Sequence, residues 1–369
     1  MNKNSFKLFR SATVGISGKN FKLLIDPWLT DGEYYGSWYH YPKFNIKKNL
    51  DELNSFNAIY ISHIHPDHSS VETLKLINKN IPIYILSYHS KFLKFKLENL
   101  GFKVIELQHG NKFTLDKDFN ITLFAADDCD PQLCFKFYGC SIPGIKDQTQ
   151  QIDSLALIEV SNKKILNVND SPFKLSEKVI KKNKSLQNLD LLLTGYGGAG
   201  PFPQCFQNLS EKDKNKEAKK KEKNFIKQSI SYIQSTNTKN YIPFAGTYYL
   251  AGKLSKLQYK RGVPSVDETY NKIDKYLKSN RMKTKSIKIN LEATLSLKDF
   301  VTSEKYKPLN SKLIKNYIKK ISKRKLDYEK LKSPESSEIF SLSQTAFKRF
   351  INKKSQLNIN LRSDIFIKL

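Results

Sequence analysis

Three of the six histidines in this chain of 369 residues fall within six positions, in Ser62-His63-Ile64-His65-Pro66-Asp67-His68. The segment before them, Asn57-Ala58-Ile59-Tyr60-Ile61, is apolar and β-favouring and reads as a buried strand. The segment after them, Ser69-Ser70-Val71-Glu72, offers a helix cap, and Leu74 and Ile77 continue at helical spacing. The cluster therefore sits on a loop at a strand end, where a rigid scaffold presents functional side chains. Imidazole nitrogen and carboxylate oxygen are the donor set for zinc, iron or manganese. His63 and His65 are two apart, so a near-extended backbone points them the same way. Asp67 and His68 can then turn toward a second, adjacent cation position, and Pro66 stiffens the turn between the two pairs.

The rest of the chain supplies alternating strands and helices. Val14–Ile16 and Phe21–Ile25 read as a hairpin around Ser17-Gly18-Lys19-Asn20. After the histidine loop come a strand at Ile83–Leu86, a helix at Ser90–Asn99 closed by Gly101, and strands at Lys103–Leu107 and Asn120–Ala125. Ser154–Val160 and Lys164–Val168 form a second hairpin that delivers Asn169-Asp170 at a strand end, and Asp190–Thr194 is a buried strand. This alternation is what a layered α/β sandwich needs. Ser210 caps a highly charged helix, Glu211 to Lys223, which becomes amphipathic through Phe225, Ile226, Ile230 and Ile233. Beyond about residue 262 the character becomes helical and lysine-rich, with a capping box at Ser265-Val266-Asp267-Glu268 and an apolar stripe at Leu313, Ile314, Tyr317, Ile318 and Ile321. We read residues 1–261 as one metal-binding domain and 262–369 as a helical C-terminal extension.

Composition narrows the function classes. Sixty-three Lys and Arg against 35 Asp and Glu give a formal net charge of +28. The excess is mostly lysine spread along an Asn- and Ile-rich chain, and no nucleic-acid-binding motif accompanies it, which reads against a dedicated nucleic-acid partner. No apolar run reaches membrane-spanning length and no signal peptide is visible, so a cytoplasmic location is expected. Cys129, Cys134, Cys140 and Cys205 fit neither a zinc-ribbon spacing nor a disulfide framework and read as thiols. Two further stretches suit ligand contact. Tyr34–Pro42 is dense in aromatics, Trp38 and Tyr39 among them; it reads as a pocket wall or as a loop packed on the core. Gly195–Pro203, with Gly197 and Gly198, lets backbone approach a ligand or is a plain flexible loop. His89 reads as a cap or surface residue, and His109 as structural in its turn.

The His-x-His-x-Asp-His pattern after an apolar strand resembles the metal-binding motif of the metallo-β-lactamase superfamily. That resemblance implies a four-layer αββα sandwich of two similar halves with metals at one edge between the sheets. It places Asp26, at the end of an early strand, behind the histidine loop as a hydrogen-bonding support. It places Asp170 as a carboxylate bridging two metals. The superfamily's third histidine is missing here; the acidic turn Ala126-Asp127-Asp128-Cys129-Asp130 offers Asp127, Asp128 or Asp130 as a substitute oxygen ligand, Asp128 favoured, or is a plain acidic turn, and no histidine follows His109. A narrower resemblance joins Asp26-Pro27-Trp28-Leu29-Thr30, the aromatic loop, the histidine cluster and Pro243-Phe244-Ala245-Gly246. Together these look like the metallo-β-lactamase-like part of CMP-N-acetylneuraminate hydroxylases. The Cys-x-His and Cys-x-x-His pairs of the Rieske domain in those enzymes do not occur in this sequence, so an oxygenase reading needs a separate electron donor.

The resulting expectation is a metal-dependent hydrolase acting on an anionic small molecule such as a nucleotide sugar, with one or two zinc or iron ions. His63, His65, Asp67, His68, Asp170 and Asp128 are the metal ligands, with Asp67 and His68 catalytic. Trp28, Trp38, Tyr39, Gly197, Gly198 and Phe244 contact substrate. An iron-dependent sugar hydroxylase, a nuclease-like member and a degenerate binding member remain as alternatives.

Overall fold

The computed structural model describes residues 4–138 and 152–356; Cys140, one of the thiols named above, lies outside them. The strands of the first half are β1 (Ser5–Arg10), β2 (Thr13–Ser17), β3 (Lys22–Ile25), β4 (Trp38–Tyr39), β5 (Ala58–Tyr60), β6 (Ile83–Leu86) and β7 (Val104–Leu107). Those of the second are β8 (Lys112–Asp116), β9 (Phe119–Ala125), β10 (Ser154–Val160), β11 (Lys163–Asn167), β12 (Leu191–Gly195), β13 (Asn240–Phe244), β14 (Tyr249–Leu250), β15 (Lys285–Ser286) and β16 (Thr294–Ser296). They build two seven-stranded mixed sheets, in the orders β16-β1-β2-β3-β5-β6-β7 and β15-β13-β12-β11-β10-β9-β8, and a small β14-β4 ribbon. The expected αββα sandwich is what the chain adopts.

Period-two burial explains the layering. In β10, Ala156 and Ile158 face the core shared with the first sheet, together with Leu24 and Ile59. Leu155 and Leu157 face the other way, onto α6 (Phe173–Lys182), α7 (Glu211–Thr236) and α8 (Val266–Ser279). The outer layer of the first sheet comes from short helices. Of these, α1 (Glu33–Gly36) is a single irregular turn, while α2 (Leu50–Asn54), α3 (Val71–Leu76) and α4 (Phe92–Glu98) bury Leu53, Leu74, Leu93 and Leu97. A fifth, α5 (Pro131–Tyr138), follows β9. The charged start of α7 is capped by the Ser210 hydroxyl, which accepts from the Asp213 N–H at 3.1 Å, and its later turns bury Ile226, Ile230 and Ile233.

The chain divides into two compact units, Met1–Arg324 and Lys325–Leu369. Residues 262–324, assigned from sequence to the extension, give each sheet an edge strand, β15 and β16, and add α8 and α9 (Ser311–Ile321). The second unit contains α10 (Asp327–Lys330) and α11 (Ser336–Gln356). Among the described residues no helix is long and apolar enough to cross a membrane.

Two cross-sheet contacts position the site. The Tyr60 hydroxyl on β5 lies 2.8 Å from the Ser154 hydroxyl on β10, and Ser154 Oγ donates to the Ser62 carbonyl at 2.7 Å. The histidine loop of one sheet is thereby tied to the first residue of a strand in the other.

Candidate metal centre

The site forms where β3 and β5 of one sheet and β11 and β12 of the other end side by side. The first two are paired in parallel, and so are the last two. Asp26, just past β3, is fully buried with φ at 46°, a conformation an aspartate adopts only when its surroundings require it. Its carboxylate accepts from the Ser62 N–H (2.7 Å), the Ser62 hydroxyl (2.7 Å) and His68 Nδ1 (2.8 Å). The last of these fixes the imidazole so that Nε2 faces the site, 3.5 Å from Asp170 Oδ1 and 3.7 Å from Asp67 Oδ2.

His63 and His68 pack ring against ring at 4.1 Å, and His63 Nε2 lies 2.9 Å from His65 Nδ1. One ligand atom each from His63, His68 and Asp170 lie within 4.8 Å of one another. The loop thus brings its four ligand-type residues to one spot, and β11 delivers Asp170 to it through Asn169. Asn169 is held at φ 39° by its side-chain bond to the Ser154 carbonyl.

Two contributors were not foreseen from sequence. Asp153, immediately before β10, places Oδ1 3.7 Å from His63 Nε2. A lone aspartate at a strand start carries no ligand signature; its only clue is that Ser154 pairs with Ala125, which sets it beside the acidic turn. Tyr34 donates its hydroxyl to Asp67 Oδ1 at 2.6 Å. It does so from a backbone with Tyr34 and Tyr35 at φ 52° and 60°, a left-handed conformation that bulky residues rarely adopt.

Other expected site residues lie elsewhere. Asp128 pairs with His109 Nε2 (3.4 Å) and with Lys182 (3.3 Å) on α6, away from the histidine loop. Its carboxylate lies beside the Lys182 ammonium and the His109 imidazole, and Asp153 stands beside His63. Trp28 is fully buried and donates its indole N–H to the Thr30 carbonyl. Tyr39 is buried among Tyr249, Ala251, Ile318 and Ile321, and Phe244 is 2 % exposed in the shared core. All three rings are already covered, Trp28 by Trp38 and His40, Tyr39 by the residues just named and the Arg324 guanidinium, and Phe244 by the shared core. Trp38 stacks on Tyr248 at 3.5 Å with the planes 6° apart, and Tyr34 lies 4.4 Å from Trp38, so this stack reaches Asp67 through Tyr34. Gly197 is packed, not open: an added Cβ would meet Gly246 and Val263 at 2.9 Å. At Gly198 it would meet the Phe225 ring at 2.8 Å.

A Cβ on Gly195, at the end of β12, would meet the Asn169 carbonyl oxygen at 2.8 Å. Backbone cannot yield as a side chain does. Gly195→Ala is therefore expected to cost about 1–3 kcal/mol and to loosen metal binding by pushing the Asn169-Asp170 segment. Thermal melting and metal titration of the same variant check both effects.

The electrostatics suit a cation. Burial opposes charge on His63 and His65 and lowers the pKa of both. Burial lowers His68 too, but the fields of Asp170, Asp26 and Asp67 outweigh it and raise His68 well above the usual imidazole range. Burial, reinforced by Asp170, pushes Asp153 up to about 7, and Asp67 is also raised, chiefly by burial. A group of carboxylates crowded this way is relieved by positive charge. The donors present therefore fit a divalent cation by both type and spacing. Metal uptake must displace the His68 proton and, below about pH 7, the Asp153 proton as well. Affinity is expected to rise with pH through neutrality and to weaken as pH falls below 7. Calorimetric titrations in buffers of different ionisation enthalpy should show protons released to the buffer.

Comparison with known proteins agrees with this architecture. No family model matches the sequence. Igni18, a metallo hydrolase from Ignicoccus hospitalis, superposes with a TM-score of 0.50 at 14% identity, covering 82% of this chain and 100% of that one. CmlA, a diiron β-hydroxylase from Streptomyces venezuelae, gives 0.50 at 13% identity over 80% of this chain and 55% of its own. The chain has the metallo-β-lactamase fold. In sequence it is similar to the cytidine monophosphate-N-acetylneuraminic acid hydroxylase of Xenopus laevis, 26% identical over 281 residues. That match covers 74% of this chain and 40% of the Xenopus protein, so the chain spans less than half the length of that relative.

Proposed function

We propose that this metallo-β-lactamase-fold chain is a metal-dependent enzyme that hydrolyses an acidic small molecule, a sugar derivative or nucleotide sugar. The observation that carries this reading is the convergence of His63, His65, His68, Asp67, Asp153 and Asp170 on one edge between the sheets. The bound cation supplies Lewis acidity and an acidified water if it is zinc, and one-electron chemistry if it is iron. The chain's own residues do the rest. Asp26 holds His68 in register, and Tyr34 holds Asp67 by Oδ1. Asp67 Oδ2 is left toward the centre, where it can take up the proton lost by an attacking water. The Trp38–Tyr248 stack forms a wall beside it.

A second reading, oxygen-dependent hydroxylation of an acidic sugar with a separate electron donor, is favoured by the donor set. Three carboxylates accompany three imidazoles, a harder set than zinc hydrolases with more histidine use. The similarity to sialic acid hydroxylases points the same way. Elemental analysis of protein purified without oxygen separates the readings. Zinc, with turnover on ester, amide or phosphodiester substrates, supports the hydrolase. Iron, with oxygen uptake driven by an acidic sugar nucleotide and an added reductant, supports the hydroxylase. Protein without stoichiometric metal overturns both.

A further inference from the structure

Behind the Trp38–Tyr248 stack lies a buried cation that the site described so far does not use. The guanidinium of Arg261 sits 4.1 Å from the centre of the Tyr248 ring. Arg261 is 7 % exposed, its Nε donates to the Gln258 carbonyl at 3.0 Å, and its Nη1 is buried without a hydrogen-bond partner. Among the described residues no carboxylate forms a salt bridge with it, although arginines are almost never buried unless paired. A second cation is held close by. Gly262, at φ +68°, lets the chain pass so near α7 that an added Cβ would meet the Ala218 carbonyl at 2.8 Å and Lys221 Cβ at 2.9 Å. Lys221 is half-buried and donates to the Phe202 carbonyl at 3.0 Å. Burial and the nearby Arg261 both disfavour its charge. The Tyr248 hydroxyl is close enough to Arg261 for both charge and hydrogen-bond interaction, and it lies within electrostatic reach of Asp67 and Asp170.

We propose that Arg261, assisted by Lys221, is the anion-recognition point of this site, taking the phosphate or carboxylate of an acidic substrate whose reactive end extends past Tyr248 toward Asp67 and Asp170. This rests on the reading of the histidine cluster as an active centre. Two neighbouring cations that form no salt bridge among the described residues repel each other, and a bound anion relieves that repulsion while satisfying Nη1. The planar fork of arginine suits a phosphate or carboxylate bidentately, and the Trp38–Tyr248 stack limits how the remainder of the molecule can lie.

The test is calorimetric binding of cytidine monophosphate and, separately, of free N-acetylneuraminic acid to the full chain, in metal-loaded and chelated form. Arg261→Gln is expected to weaken the preferred probe at least tenfold, about the worth of one charge-assisted hydrogen bond. Arg261→Lys, which keeps the charge and loses the fork, should fall between wild type and Arg261→Gln. Lys221→Met should weaken binding by roughly threefold or more, since it removes one partly screened charge. Metal content should not change in any of them. Preference for the nucleotide assigns the anion to a phosphate, and preference for the sugar acid to a carboxylate. Millimolar probe that fails to bind wild type, or equal binding by folded Arg261→Gln, overturns the proposal. Anion binding that survives chelation and depends on Arg261, in protein that never carries metal, would sustain this anion site while removing the metal-enzyme reading.

Discussion

His63→Ala is expected to lower metal affinity by at least a hundredfold and to take stoichiometric metal in purified protein to background. His63 is fully buried and lies against His68, His65 and Asp153 at once. Its loss removes a neutral donor, the only form that binds metal, and leaves Asp153 facing a void. Loss of a supporting partner alone typically costs ten- to a hundredfold in affinity, and loss of a ligand costs more. The chelated variant should remain folded, within about 2 kcal/mol of chelated wild type, because the imidazole gives up few apolar contacts. Metal analysis beside urea unfolding of both chelated proteins decides it. A variant that retains a full complement of metal would remove His63 from the ligand set.

Asp26→Ala is expected to be the most destabilising single change around the centre. It strands the buried Ser62 N–H, and it leaves the Ser62 hydroxyl only His63 Nδ1 (2.9 Å) and His68 Nδ1 only the longer 3.4 Å contact to Ser62 Oγ. Each such loss costs about 1–3 kcal/mol, so a loss of roughly 3–5 kcal/mol is expected, with weaker metal binding because His68 can swing. Asp26→Asn should fall between wild type and Asp26→Ala, since an amide oxygen can still accept from one donor while its NH2 opposes another. Chemical denaturation of the chelated proteins measures the series. A loss under about 1 kcal/mol for Asp26→Ala would mean that Asp26 does not brace the loop.

Much of the candidate centre was legible because the ligand-type residues it gathers are crowded in sequence. His63, His65, Asp67 and His68 share one loop, and the apolar strand before them announces where that loop sits. Asp26 and Asp170 were singled out through the resemblance to the superfamily, which expects aspartates at those strand ends. Asp153 was not, since a single acid before a strand has no local signal, and the acidic turn holding Asp128 drew attention in its place. What separates the two is tertiary. Lys178 and Lys182 on α6 lie beside Asp128, while the β9–β10 register carries Asp153 toward His63. The aromatic residues failed for a related reason. Trp28 and Tyr39 lie in segments without periodicity, so nothing in their spacing says which face is covered. The two-residue β15 and three-residue β16 are too short to show alternation, and partner strands alone make them strands.

The centre draws on both sheets, and its supports are far apart along the chain: Tyr60 and Ser154, which touch beneath it, are 94 residues apart. A cation held by His63 and His68 on one side and Asp170 on the other would act as a rivet between the two halves of the sandwich. Parting the sheets means giving up the ion, so its binding free energy is added to their adhesion. At a free concentration a hundred times the Kd, that amounts to about 2.7 kcal/mol. Starved of metal, the protein would then be weakest along the seam where its candidate centre lies.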